Sequence, residues 1–121
     1  MAWFAAQSRP SLFTTTITQG ELFYGLRLLP DGQRRTALLN AIHDIFNQDL
    51  DGQVLSFNST AADAYADIAA WRQAAGQPIS QFDAMIAGIA QSRGASLATR
   101  NLKDFVDCGI ELIDPWAFDQ R

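Results

Sequence analysis

The sequence predicts an α/β fold with a mainly parallel sheet. Short apolar segments rich in β-branched residues alternate with longer segments whose apolar residues recur every three or four positions. The first kind of segment is typical of strands and the second of helices. Strands that are largely apolar indicate a sheet covered by helices on both faces, as parallel sheets are. With 121 residues, 48% of them hydrophobic, the chain is long enough for one domain with its own core.

In the N-terminal half, the pattern predicts two strands and two complete helices. Residues 2–7 look like the tail of a helix, so the sequence begins within a helix where an α/β domain usually begins with a strand. The β-branched and aromatic segment LFTTTI predicts a strand over 12–17. Apolar residues at helical spacing predict helices over 18–29 and 33–47, separated by a Pro-Asp-Gly turn. The segment VLSF predicts the second strand, over 54–57.

In the C-terminal half, two helices are each followed by a glycine that can end a helix. The first is rich in alanine and covers 60–75, and the second covers 81–93. The segment SLAT predicts a strand over 96–99, and a short helix follows over 104–107. The segment IELI predicts the last strand, over 110–113. Strands and helices therefore alternate along the whole chain.

Charge and composition exclude several kinds of protein. The formal net charge is −4, from nine Lys and Arg and thirteen Asp and Glu, whereas a protein that coats DNA is expected to be strongly basic. RNA bound at a local site stays compatible with this charge. The single cysteine, Cys108, excludes an internal disulfide, and with the single histidine, His43, it excludes a Cys/His zinc site. No apolar run approaches about 18 residues and no signal peptide is evident, so we expect a cytoplasmic protein without a membrane segment.

Three acidic residues lie where predicted helices begin. Glu21 follows the first strand, Asp83 opens a largely apolar helix, and Asp104 follows the strand SLAT. Each stands three residues after a Thr, Ser or Asn, as in a capping box, where the two side chains bond each other's backbone N–H groups. For each acid alone, capping is a sufficient explanation. The three matches are Thr18-x-x-Glu21, Ser80-x-x-Asp83 and Asn101-x-x-Asp104, and a fourth match, Thr60-x-x-Asp63, involves another acid.

The same three acids also suit a metal site. The carboxyl ends of parallel strands face one edge of a sheet, where ligands usually bind, so acids at these junctions are expected to approach each other. Clustered carboxylates repel each other unless a cation lies among them, and oxygen ligands suit Mg²⁺ or Mn²⁺. Asp83 is the most informative of the three, because it is the only charged residue between Arg72 and Arg93.

Three segments of the sequence resemble the PIN-domain family, and specifically the VapC-type toxins of bacterial toxin–antitoxin pairs. The segments are TTTITQGELFYG, SQFDAMIAGIAQSRGASLATRNLKDF and IELIDPW. The resemblance implies one Rossmann-like α/β/α sandwich over residues 1–121, and cleavage of RNA that depends on Mg²⁺ or Mn²⁺. It also implies a homodimer and a cognate antitoxin that covers the site. Glu21, Asp83 and Asp104 match acidic metal-binding positions of the family, Thr99 and Asn101 match polar positions near the metal, and Arg100 is a candidate phosphate contact.

The sequence departs from the family pattern at its start. The family begins with a central strand that ends in Asp-Thr-Asn and supplies the first metal-binding Asp, and these 121 residues contain no such motif. Two functions therefore stay open. One is a metal-dependent ribonuclease toxin, and the other is a PIN-like module of weak or no activity that binds an antitoxin or persists as a structural remnant. A chain that completes its sheet through an unusual oligomer is a third possibility.

Overall fold

The computed structural model describes residues 12–99 and 101–113. The predicted helix tail over 2–7, the residue Arg100 and the segment after 113 lie outside the described residues. These residues form two compact units, one over 12–56 and one over 57–113. The expectation of a single domain stays a prediction. No helix in the described ranges is both long and apolar enough to span a bilayer.

Both units combine helices with short strands. In the first unit, the elements in chain order are β1 (Thr14–Thr15), α1 (Thr16–Arg27), α2 (Gln33–Asp44), a π-helical turn (Ile45–Asp49) and β2 (Val54–Leu55). In the second unit they are α3 (Ser59–Ala74), α4 (Gln81–Ser92), β3 (Leu97–Ala98), α5 (Leu102–Phe105) and β4 (Leu112–Ile113).

The first unit is organised around one parallel strand pair and two helices. Strand β1 pairs with β2, with Thr14 opposite Val54, and the pairing is extended by a hydrogen bond from Thr14 N–H to the Gln53 carbonyl (3.0 Å). Between the helices, the Phe23 ring lies 4.5 Å from the His43 ring and 5.7 Å from that of Phe46, measured between ring centroids. Helices α1 and α2 therefore contact each other through aromatic side chains.

The second unit contains the larger core. Strands β3 and β4 pair in parallel, with Leu97 opposite Leu112. Helices α3 and α4 pack closely because small residues line their contact. A Cβ atom on Gly88 would lie 2.8 Å from both the Ala61 carbonyl oxygen and the Tyr65 nitrogen. The buried cluster beside this contact is formed by Ile68, Ala87, Phe105 and Cys108, with Ile79, Ile86, Leu97, Ile110 and Leu112 packed against it.

The predicted α/β fold with parallel strands is confirmed, but all four predicted strands are too long: those over 54–57, 96–99 and 110–113 are limited to Val54–Leu55, Leu97–Ala98 and Leu112–Ile113. The strand predicted over 12–17 is limited to β1, because the Thr15 side chain caps a helix that begins at Thr16. The short helix predicted over 104–107 lies two residues earlier, at Leu102–Phe105, and the chain turns extended at Val106 (ψ 143°). The long helices end as predicted, with Gly76 and Gly94 following them at positive φ.

Candidate active site

Asp83 lies in the first turn of α4, where Ser80 is the N-cap. The Ser80 Oγ accepts a hydrogen bond from the Asp83 N–H (3.2 Å). Among the described residues, no group donates a hydrogen bond to the half-buried Asp83 carboxylate, and none forms an ion pair with it. Only one half of the predicted capping box is formed, and it uses the backbone of Asp83. Capping therefore explains Ser80 and leaves the Asp83 carboxylate available for another ligand.

Asp104 lies in the short helix α5, which follows β3. Its N–H donates to the Asn101 carbonyl (3.1 Å), and its own carbonyl accepts a hydrogen bond from the Arg72 side chain (3.1 Å). Asn101 occupies the N-cap position, but its side chain makes no capping bond. The predicted box Asn101-x-x-Asp104 is therefore wrong. The Asp104 side chain is half-buried, and no hydrogen bond or ion pair joins its carboxylate to the described residues.

Glu21 lies in the other unit and does not cap a helix. Helix α1 begins before the predicted position, and Thr15 is its N-cap, with Thr15 Oγ1 accepting a hydrogen bond from the Thr18 N–H (3.0 Å). The predicted box Thr18-x-x-Glu21 is wrong, because the backbone of Thr15 is extended and its side chain accepts the hydrogen bond of the Thr18 N–H. Glu21 consequently stands in the second turn of α1, where its side chain is exposed.

The fourth predicted box, Thr60-x-x-Asp63, is also wrong. Helix α3 is capped by Asn58, whose Oδ1 accepts a hydrogen bond from the Ala61 N–H (3.0 Å). Thr60 lies inside the helix, and Asp63 is an exposed residue beyond its first turn. Asp63 is therefore an acid without a capping role, which makes it a useful comparison for the candidate site.

The polar residues between β3 and α5 are partly accounted for. Thr99 directly follows β3, and its N–H donates to the Ile113 carbonyl (2.9 Å). The Thr99 Oγ1 accepts a hydrogen bond from the Asn101 N–H (3.0 Å), which fixes the turn that leads into α5. The Asn101 side chain is exposed beside this turn. The predicted phosphate contact, Arg100, lies outside the described residues.

Asp83 and Asp104 belong to the same unit, on helices α4 and α5 that contact each other. Within each unit, the described residues bring no three His, Cys, Asp or Glu side chains close enough to share a metal ion. A shared site for Glu21, Asp83 and Asp104 therefore stays a prediction. The two Asp residues do fit a hard divalent cation, because their carboxylates are unengaged within the described chain and Mg²⁺ is commonly held by one or two carboxylates plus water.

Arg72 is the residue near the site that sequence reasoning missed. It lies in the last turn of α3, is 5% exposed, and is the buried charged residue of the described chain. Its Nη1 donates to the carbonyls of Asp104 (3.1 Å) and Val106 (2.9 Å), and its Nε donates to the carbonyl of Gln77 (2.6 Å). The signal available in the sequence was position, because Arg72 stands four residues after the buried Ile68, on the same helix face.

Cys108 lies against this arginine. It is buried and free, and Arg72 Nη1 lies 3.7 Å from its Sγ. Burial raises the pKa of the Cys108 thiol, and the nearby charges of Asp107 and Asp83 act in the same direction, while Arg72 opposes them. The thiol is therefore protonated at neutral pH and serves as a packing residue, in agreement with its place in the core cluster.

Comparison with known proteins identifies the family. The PIN domain model matches residues 1–108. VapC ribonuclease Y4jK of Sinorhizobium fredii is 36% identical over 116 residues, which cover 96% of this chain and 83% of that protein. The structure of FitAcB from Neisseria gonorrhoeae matches with a TM-score of 0.82 and 28% identity, over 95% of this chain and 83% of the other. DNA-bound VapBC from Salmonella typhimurium matches with a TM-score of 0.70 and 33% identity, over 84% and 73%. The resemblance found in the sequence is thus confirmed, and the chain is a VapC-type member of the PIN-domain family.

Proposed function

We propose that this protein is a divalent-metal-dependent ribonuclease toxin of a toxin–antitoxin pair, which cleaves RNA phosphodiesters. The observation that carries the proposal is the Asp83 carboxylate. It is half-buried at the head of α4, and no described residue pairs with it. Family membership and the name of the relative from Sinorhizobium fredii, a VapC ribonuclease, support the choice of reaction.

In this proposal, Asp83 and Asp104 would hold Mg²⁺ or Mn²⁺, and Glu21 stays the further acidic position that the resemblance implies. When bound, the ion supplies an activated water and a positive charge opposite the RNA phosphate. The capped first turn of α4 holds the backbone of Asp83 in place. The hydrogen bond from Arg72 to the Asp104 carbonyl does the same for Asp104. Arg100 and Asn101 are proposed to contact the RNA, and the Thr99 Oγ1 holds the Asn101 backbone by accepting a hydrogen bond from its N–H.

The proposed partners follow from the same family. The solved relatives include VapBC and FitAcB structures, which supports a cognate antitoxin as the protein partner. We further propose a homodimer located in the cytoplasm. Co-purification with the antitoxin, and light scattering of the free toxin, test the two assemblies separately.

The first prediction concerns Asp83. The variant Asp83→Asn keeps the size of the side chain and the backbone N–H that Ser80 caps, but it removes the negative charge. Loss of a residue that hydrogen-bonds a metal ligand typically lowers metal affinity or activity by about 10–100-fold. Loss of a ligand itself should therefore reduce RNA cleavage by at least about 100-fold. Cleavage should be measured with a fluorescent RNA in Mn²⁺, then after addition of EDTA.

The matched control is Asp63→Asn, which removes an exposed acid from α3 and should leave cleavage unchanged. Equal cleavage by wild type and Asp83→Asn would contradict the proposed site. If the wild type binds its antitoxin but neither binds Mn²⁺ in calorimetry nor cleaves RNA, the protein is the non-catalytic PIN-like module.

A further inference from the structure

Arg72 carries a buried positive charge that the fold must compensate. Its side chain lies in the core at 5% exposure, and no carboxylate among the described residues forms an ion pair with it. Burial of a guanidinium without a carboxylate partner is costly unless other acceptors satisfy its donors. The guanidinium donates to three backbone carbonyls, and its Nη1 also lies 3.7 Å from the Cys108 Sγ, so its main effect is to hold the main chain in place.

The first of these carbonyls belongs to the loop that leads to Asp83. Arg72 Nε donates to the Gln77 carbonyl (2.6 Å), and the Gln77 N–H donates to the Arg72 carbonyl (2.9 Å). The two residues are therefore joined by a reciprocal pair of hydrogen bonds. Gln77 stands three residues before Ser80, the N-cap of the helix that begins with Asp83. The arginine thus fixes the entry into α4.

The other two carbonyls belong to the segment that carries Asp104. Arg72 Nη1 donates to the carbonyl of Asp104 itself and to that of Val106, two residues later. Asp107, in the same segment, has a positive φ of 63°, a conformation that is uncommon outside glycine. The Val106 carbonyl that Arg72 binds lies directly before this residue, so the arginine fixes the main chain at the entry to the turn.

We infer that Arg72 is a positioning residue that holds the Asp83 and Asp104 segments in fixed relation to each other. The inference rests on the proposed function for its catalytic meaning, but the mechanical link itself does not depend on that function. One planar guanidinium contacts both segments, and its donors point in fixed directions. The flexible ammonium of a lysine, with its single charged nitrogen, lacks this geometry.

The link is tested first in the wild-type protein by native-state hydrogen exchange. The informative amides are those of Gln77, Ala84 and Asp104, which are all hydrogen-bonded within the two segments. If Arg72 joins the segments, these amides open together, with one shared free energy of opening. Independent opening of the Gln77 and Asp104 amides would overturn the inference, whether or not any variant folds.

The second test compares Arg72→Lys with Ile68→Val. The control trims a buried side chain one turn earlier on α3 and leaves all three carbonyl contacts in place. In Arg72→Lys, we expect both segments to lose protection and the Mn²⁺ dissociation constant, measured by calorimetry, to rise about 10–100-fold. In Ile68→Val, the exchange protection and the Mn²⁺ dissociation constant should match those of the wild type. The comparison is made at temperatures where circular dichroism shows each protein to be folded.

The possible results separate the two proposals. Wild-type Mn²⁺ affinity and wild-type protection in folded Arg72→Lys would overturn the positioning role. If the wild-type protein binds no Mn²⁺ and cleaves no RNA, the proposed function fails, and the exchange pattern alone then supports or overturns the link between the two segments.

Discussion

At the residue scale, the candidate site rests on two half-buried carboxylates that no described residue pairs with. Asp83 and Asp104 do stand in the first turns of helices, as the pattern predicts. Glu21 does not, because Thr15 and Thr18 are equally good caps by composition and only the backbone conformation selects Thr15. Arg72 was missed since a charged residue is expected at the surface, and its compensation comes from backbone carbonyls that leave no mark in the sequence.

The residue-scale prediction concerns Cys108. Burial raises the pKa of its thiol, so the unfolded chain loses this proton at a lower pH than the folded protein does. Below the pKa that the thiol has in the unfolded chain, its full contribution to the free energy of unfolding is present. This contribution is lost as the pH rises from that pKa through the pKa of the thiol in the folded protein. Between about pH 8 and pH 10, the free energy of unfolding should fall by up to about 1.4 kcal/mol per pH unit from this group alone.

Urea unfolding of wild type and Cys108→Ala at both pH values measures this effect. Other groups titrate equally in both proteins, so the difference between their pH dependences isolates the thiol. The variant is expected to lose less stability than wild type as the pH rises. Identical pH dependences would show that the folded environment leaves Cys108 unperturbed.

At the element scale, helices were predicted more accurately than strands. Glycines ended α3 and α4 as expected, since only a residue tolerant of positive φ closes a helix in this way. The strand LFTTTI was overestimated, because the β-branched Thr16 and Ile17 belong to a helix that Thr15 caps. Local preference for strands is weak, and the capping bond outweighs it here.

The element-scale prediction uses two glycines with opposite expected effects. Gly88→Ala places a methyl group 2.8 Å from backbone atoms of α3, so the helices must separate and the protein should lose about 1–3 kcal/mol of stability. Gly20→Ala lies in helix α1, where a Cβ meets nothing within 4 Å, and it should gain about 0.5–1 kcal/mol. Denaturant unfolding measures both, and a stabilised Gly88→Ala would contradict the close helix contact.

At the scale of the whole molecule, alternation of strands and helices was enough to predict a parallel α/β fold, because parallel strands need crossover helices. Which of the candidate acids lie close together was harder to predict from the sequence. It depends on which helix starts share an edge, and Glu21 lies in a different compact unit from Asp83 and Asp104.

The whole-molecule prediction concerns salt. With a net charge of −4 and only nine Lys and Arg, the protein has few cations for phosphate contacts. Binding of single-stranded RNA to the Asp83→Asn variant should therefore weaken only modestly with salt, with a slope of log K against log [salt] shallower than about −2. Fluorescence anisotropy over a range of salt concentrations measures the slope. A much steeper slope would indicate an extended basic surface and contradict recognition at a local site.

The contact between α3 and α4 also has an entropic consequence. Ala61, Ala87 and Gly88 possess no side-chain rotamers, so helix docking at these positions costs no side-chain conformational entropy. A helix that packs on long side chains can shift as their rotamers exchange, and no such exchange occurs at these residues. Asp83 thus stands at the head of a helix whose contact with α3 has a single side-chain arrangement at these three positions.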